Sequence, residues 1–333
     1  MTDLQSRADG SSGSWLRQLA LLAVVSLLSG CAAFSWIPGI GDDDDDEENT
    51  DPAKLVDFEA EVSVERQWKV KVGAGLGKKY IRLQPMIAAE RVVAADAYGT
   101  VAAFDRFSGK QLWRQQFGEE ERRSSGLNRF LDRSDGGFVS GGVGGGEGLV
   151  LLGTTRGNVI ALALSDGSEK WRTYLGSEVG STPVAAQGRV FAQTIDGELV
   201  ALDAETGEQL WSYSSQVPLL TLRGTSTPVT ARDVVYTGFA SGKVVALRAS
   251  NGEPIWEQRV MLPEGRSELE RIVDVDSAPL VVGNAIYGQA YQGRMMRIVA
   301  RDGRPRWEAA VSSFQNLAEG YGQIYAVEEK DTV

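Results

Sequence analysis

Apolar residues fall in short runs along this chain, separated by polar turns rich in Gly, Asp and Thr. The clearest case is Gly197 to Trp211, GELVALDAETGEQLW. In its first half Leu199 and Ala201 interleave with Val200 and Leu202, so both faces are apolar and a strand buried on both sides is predicted. Asp203 to Gly207 predicts a tight turn, because Asp and Thr side chains hydrogen-bond nearby backbone and Gly accepts a positive φ. Trp211 stands at the start of the next strand. The unit recurs on a fixed ruler, with a leading Gly, a second Gly ten positions on and a Trp fourteen positions on. Gly99, Gly109 and Trp113 fit it, as do Gly157, Gly167 and Trp171, then Gly242, Gly252 and Trp256, then Gly293, Gly303 and Trp307.

Ahead of most units runs a Pro followed by an apolar strand, at Pro183 to Phe191, Pro228 to Tyr236 and Pro279 to Tyr287, with Pro85 to Val93 a looser version. Each repeat therefore reads as four short strands joined by hairpins. From Trp68 to Trp307 the repeated Trp residues step by 45, 58, 40, 45 and 51 residues, close to the roughly 40–50 residues of a four-stranded propeller blade. The fold class is all-β, a β-propeller over residues 61–333, and the regular place of each Trp predicts packing from blade to blade. Val62, Val64, Trp68, Val70 and Val72 alternate with polar residues as a strand that closes the ring. Thr332 and Val333 align with the start of another unit, so about two blades are expected beyond those present.

Composition narrows the chemistry. The chain has no His and one Cys, which removes the commonest general base and any intrachain disulfide. Seven of the net −11 charges lie in Asp42–Glu48, leaving about −4 for the rest. No basic stripe of the kind that binds nucleic acid is present.

Residues 1–30 read as an export signal, in which Arg7 and Arg17 precede the apolar run Leu19–Leu28, too short against the ~20 residues of a membrane span. Leu28-Ser29-Gly30-Cys31 resembles the bacterial lipobox, which implies a lipidated Cys31 at the mature N-terminus. Ala32 follows in place of the Asp that retains lipoproteins in the inner membrane, pointing to the outer one. Residues 31–60, with GDDDDDEE at the centre, repel themselves and bury no apolar surface, so an extended tether is expected rather than a calcium loop. Between Trp113 and Gly157 a polar insertion is expected to be a surface loop. The Gly-rich run Gly141–Gly148 lacks the phosphate-loop ending and reads as a turn between strands.

Two connections carry unusual residues. Leu219, Leu220 and Leu222 lie beside Arg223 where loops are normally polar, which is the composition of an interface centre. The same leucines tucked under a neighbouring blade, with Arg223 paired to Asp274 or Asp276, fit equally well. Asp274 and Asp276, two apart, point the same way and do not flank a bond as glycosidic carboxylates must.

Together the lipobox, the GxxxALDxxTGxxxW units and the segments Leu220-Thr221-Leu222-Arg223 and Asp274-Val275-Asp276 resemble the BamB family of outer-membrane-protein assembly lipoproteins, over the whole chain. That resemblance implies an eight-bladed propeller and a non-enzymatic scaffold without a cofactor, anchored in the outer membrane and facing the periplasm. Its implied partners are the barrel subunit BamA, the rest of the BAM complex and unfolded outer-membrane proteins. Leu220, Leu222, Arg223, Asp274 and Asp276 match the family's BamA-contacting positions. The alternative is a periplasmic quinoprotein dehydrogenase using pyrroloquinoline quinone and calcium. Those enzymes carry adjacent cysteines over the cofactor, whereas the sole Cys here is Cys31.

Cys31→Ser is expected to abolish lipid attachment and cleavage before residue 31, raising the mass of the mature protein and moving it out of the membrane fraction. Unchanged mass and fractionation would refute lipidation at Cys31.

Overall fold

The computed structural model describes residues 62–76, 81, 83–117, 138–218, 220–222, 225–262, 266–267, 269 and 271–328. Contacts divide the chain into two units, Met1–Leu55 and Val56–Val333, and every described residue belongs to the second. Among the described residues there is no helix. The first blade consists of β1 (Met86–Ala88), β2 (Arg91–Ala95), β3 (Thr100–Asp105) and β4 (Gln111–Gln116). The second consists of β5 (Val139–Gly146), β6 (Leu149–Thr154), β7 (Asn158–Ala163) and β8 (Glu169–Tyr174). The third holds β9 (Val184–Ala186), β10 (Arg189–Gln193), β11 (Glu198–Asp203) and β12 (Gln209–Ser214). The fourth holds β13 (Val229–Ala231), β14 (Val234–Phe239), β15 (Lys243–Arg248) and β16 (Pro254–Arg259). The fifth holds β17 (Leu280–Val282), β18 (Ala285–Gln289), β19 (Met295–Val299) and β20 (Pro305–Ala309). The hairpin β21 (Ala318–Gly320) and β22 (Gln323–Tyr325) follows. Each blade is an antiparallel meander in chain order.

The alternation read in the sequence sends successive side chains into different seams. Leu199 and Ala201 of β11 pack with Val235, Val245 and Leu247 of the fourth blade. Val200 and Leu202 of the same strand pack with Leu149, Leu151 and Trp171 of the second. Comparable clusters join the first blade to the second and the fourth to the fifth. Both faces of a central strand are thus buried, and the core is a series of seams.

Each seam is latched by the repeat's Trp. The indole N–H of Trp68, Trp113, Trp171, Trp211 and Trp256 donates to a carbonyl in the next turn, respectively Arg106, Leu164, Ala204, Ala249 and Ala300, at 2.8–3.1 Å. A register shift at one place in every blade, as between Ala201 and Leu202 opposite β12, aims the ring across the seam. The turn receiving Trp171 is stiffened by Asp203, whose Oδ1 accepts the N–H groups of Thr206 and Glu205 at 2.8 and 2.9 Å. Those bonds hold its carboxyl below the usual range. Near the opposite face, buried Gln193 adds a polar clamp, donating to the Gly238 carbonyl at 3.0 Å and accepting from Thr237 Oγ1 at 2.8 Å.

Three expectations need correction. Gly141–Gly146 is not a turn but most of β5, and only Glu147–Gly148 turns. With glycine at five of its eight positions this strand comes close enough to pair with β9 at Gly145 and Val184, merging two blades into one eight-stranded sheet. A Cβ on Gly144 would lie 1.9 Å from the Pro183 carbonyl oxygen. Each Pro-led segment is a hairpin rather than one strand, with two-residue turns such as Gln187–Gly188. Residues 63–72 form no strand, having no ladder partner among the described residues, although Trp68 docks on the first blade as a repeat Trp should. Trp307 is 41% exposed, against 8% for Trp113, Trp171 and Trp256. The polar insertion at 118–137 and the unit read at Thr332–Val333 lie outside the described residues.

The seam yields a paired test. Gly207 and Gly188 both have positive φ, +75° and +72°, but a Cβ on Gly207 would meet the Trp171 ring at 2.6 Å while none lies within 4 Å of Gly188. Gly188→Ala is expected to cost about 1–2 kcal/mol from backbone strain alone. Gly207→Ala is expected to cost roughly 2 kcal/mol more, as overpacking does. Denaturant unfolding checks this, and equal losses would deny the ring contact its role.

Candidate partner-binding site

Strand direction alternates within a blade, so the connections that lead from one blade to the next emerge on a single face, together with the turns between second and third strands. Two adjacent connections, 215–228 and 260–279, carry the residues singled out from the sequence. Leu220 and Leu222 are 43% and 41% exposed, so neither is tucked fully under a blade. Beneath them Asp274 is 0% and Asp276 6% exposed. The N–H of Leu222 donates to Asp274 Oδ2 at 2.6 Å, tying the first connection to the second. Ser226 Oγ reinforces the tie by donating to the Ser277 carbonyl at 2.9 Å. The second connection is in turn held to the blades, since Val275 N–H donates to the Phe239 carbonyl and Tyr291 N–H to that of Asp274.

This geometry explains why two leucines face solvent. A segment leaving the seam has backbone donors that no ladder takes up, and an unsatisfied buried N–H costs about 1–3 kcal/mol. Asp274 accepts one of them and fixes the leucines on the outer side. Its own cost is desolvation, which together with the nearby charge of Asp276 pushes its carboxyl up to about 7 despite the bond from Leu222. Its second oxygen, Oδ1, has no hydrogen-bond partner among the described residues. A perturbed carboxyl is a common mark of catalytic sites. Here both carboxylates are buried under a connection, which suits positioning rather than attack on a substrate.

The structure therefore brings Leu220, Leu222, Asp274 and Asp276 together, while Arg223 and Cys31 lie outside the described residues. Leu262 and Leu269 on the second connection are also exposed. They are apolar residues in an otherwise polar stretch, a signal present in the sequence but hidden by the single spacing of each. Among the described residues no group of three or more His, Cys, Asp or Glu side chains converges as a metal site would.

Blades of four strands, latched by Trp and Gly and carrying an apolar, carboxylate-backed pair of connections, define a β-propeller of the quinoprotein-repeat type. The family model described as "Outer membrane protein assembly factor BamB" matches residues 55–138 and 97–333. The chain is 41% identical over 317 residues to the protein of that name from Pseudomonas aeruginosa, covering 95% of this chain and 76% of the relative. It is 32% identical over 321 residues to that from Shewanella oneidensis, covering 96% and 77%. The crystal structure of BamB from Moraxella catarrhalis superimposes with a TM-score of 0.62 at 26% identity, over 71% of this chain and 66% of that one. A quinohemoprotein alcohol dehydrogenase from Comamonas testosteroni, at 17% identity and a TM-score of 0.51 over 70% and 43%, shares the fold alone. This chain belongs to the BamB family of outer membrane protein assembly factors.

The raised carboxyl at Asp274 has a stability consequence. Its pKa is higher folded, about 7, than the ordinary aspartate value of 3.8, so between those values the folded state binds more protons. Its contribution to stability is then most favourable below pH ~4 and declines as pH rises through ~7. Asp274→Asn keeps an oxygen for the Leu222 N–H and removes the titration. Unfolding measured from pH ~4.5 to ~8 should show the wild type losing stability relative to the variant as pH rises, and a flat difference would refute the buried charge.

Proposed function

We propose that this chain is a non-enzymatic scaffold in the assembly of outer-membrane β-barrels. In this reading it is lipidated on Cys31, held through residues 31–60 at the periplasmic face of the outer membrane, and docks the periplasmic domains of BamA within the BAM complex. Leu220, Leu222 and Arg223 make the contact, with Asp274 and Asp276 fixing the connection from beneath. The observation that carries the reading is the 2.6 Å bond from Leu222 N–H to buried Asp274. It leaves two leucines facing solvent on a braced segment, where binding loses little conformational entropy.

Family membership supports the assembly role, since the relatives are named as outer membrane protein assembly factors. The dehydrogenase alternative has only a likeness of fold at 14–17% identity behind it, and no residue of this chain argues for a quinone. Exposed apolar side chains beside a guanidinium make a better protein contact than a small-molecule pocket.

Leu222→Ala and Arg223→Ala should each weaken binding of soluble BamA periplasmic domains by roughly thirtyfold, about 2 kcal/mol, as truncation at an interface centre does. The melting temperature should stay close to that of the wild type. Unaltered affinity by calorimetry, or joint loss of fold and binding, would refute the assignment of this connection.

A further inference from the structure

Every complete blade places the first residue of its third strand opposite the last of its fourth. These pairs are Thr100 with Gln116, Asn158 with Tyr174, Glu198 with Ser214 and Met295 with Ala309 in the first, second, third and fifth blades. In the fourth blade the pair is Lys243 with Arg259, two cations directly across an antiparallel ladder, which is an unfavourable pairing. The seams do not require it, since Lys243 is half-buried and Arg259 exposed.

One carboxylate, Glu257, serves both cations, bonded by Lys243 and attracting Arg259 without an ion pair between them among the described residues. Glu257 receives Lys243 Nζ on Oε2 at 2.8 Å and Tyr213 Oη on Oε1 at 2.6 Å. These two bonds, that from Lys243 foremost, hold its carboxyl below the usual range. Arg259 donates from one nitrogen to the Ser241 carbonyl at 3.2 Å and forms no ion pair among the described residues. It lines a cleft of about 420 Å³ between the third and fourth blades. The other walls include Lys243 and Glu257 themselves, Ser215 and Ser241, and Val217 and Pro218 at the start of the connection that carries Leu220 and Leu222. Two cations thus share the single carboxylate of Glu257, and a net positive charge stands beside serine hydroxyls at the rim of an apolar contact surface.

We propose that this cleft is a carboxylate-binding subsite, in which Arg259 and the neighbouring hydroxyls hold an Asp or Glu side chain of the protein that docks on Leu220 and Leu222. The inference rests on that docking reading and adds the charge its partner must carry. A guanidinium presents a fork that matches a carboxylate in two bonds. Its place beside exposed leucines has the anatomy of a protein interface, an apolar centre with a polar rim. Rim charges act mainly on association rate and selectivity, so the subsite sets the orientation of the docked partner more than its total affinity. A lipid phosphate would satisfy the same donors, but the adjoining leucines favour a protein.

The test is calorimetric binding of soluble BamA periplasmic domains at about 50 and about 300 mM salt, with phosphatidylglycerol vesicles as a second probe. Arg259→Gln should weaken binding about fivefold and Arg259→Glu by tenfold or more, both losing salt dependence and keeping the wild-type melting temperature. Arg259→Gln introduces no new charge, so the test holds even where the Glu variant folds poorly. If both Arg259 variants bind as the wild type does while Leu222→Ala still weakens binding, the subsite is wrong and the docking surface stands. If Leu222→Ala is also without effect, both readings fall. Vesicle binding that depends on Arg259, with BamA binding intact, would assign the cleft to lipid and overturn the inference.

Discussion

The bond between an indole N–H and the turn carbonyl of the next blade is the constraint on which this propeller depends. A four-stranded blade is apolar on both faces and cannot bury both by itself, so blades are stable only when stacked. A Trp ring at the seam supplies about 3–5 kcal/mol of burial before entropy is counted, provided its N–H finds an acceptor. That acceptor is a backbone carbonyl, which has to be held at one height. From this single condition follow the register shift that turns the ring outward, the Gly that clears space for it and the Asp that stiffens the turn. Ala103, Ala161, Ala201 and Ala246 lie opposite the ring across the ladder in the first four blades, where a larger side chain would tilt it.

The latch occupies the turns between third and fourth strands, all on one face. The connections between blades emerge on the other, where no such condition applies and both length and composition vary. A recognition surface can therefore be accommodated there without disturbing the seams. The departures from the repeat cluster accordingly around the third and fourth blades. They include solvent-facing leucines, a buried pair of carboxylates and two cations across one ladder. Each contradicts a local preference, and such contradictions are expected where binding rather than folding determines the residue.

The ruler of Gly and Trp made the repeat legible, because each blade needs the same residue at the same place. Strand alternation told equally well that both faces of Leu199–Leu202 would be buried. The bulge was hidden, since an extra residue such as Leu210 looks like one more member of an alternating strand. Gly141–Gly146 misled because a run of Gly has the composition of a turn, and only the approach of β9 explains it as a strand. Of the site, the exposed leucines were recognisable as out of place in a connection, yet their orientation rested on an equal choice. What decides it is one long-range bond, from residue 222 to residue 274, which no local pattern encodes.

That bond also explains why an acid lies where a neutral side chain would be cheaper to bury. A carboxylate makes a stronger, shorter bond to a backbone N–H than an amide does, and 2.6 Å is short for such a pair. The gain in stiffness is opposed by desolvation and by Asp276, which together raise the pKa to about 7. The two requirements pull the proton in opposite directions. Packing of the propeller favours the neutral acid, while a taut connection under Leu220 and Leu222 favours the ion. The bond that braces Leu222 is therefore set against the desolvation of Asp274 and the charge of Asp276 beneath it.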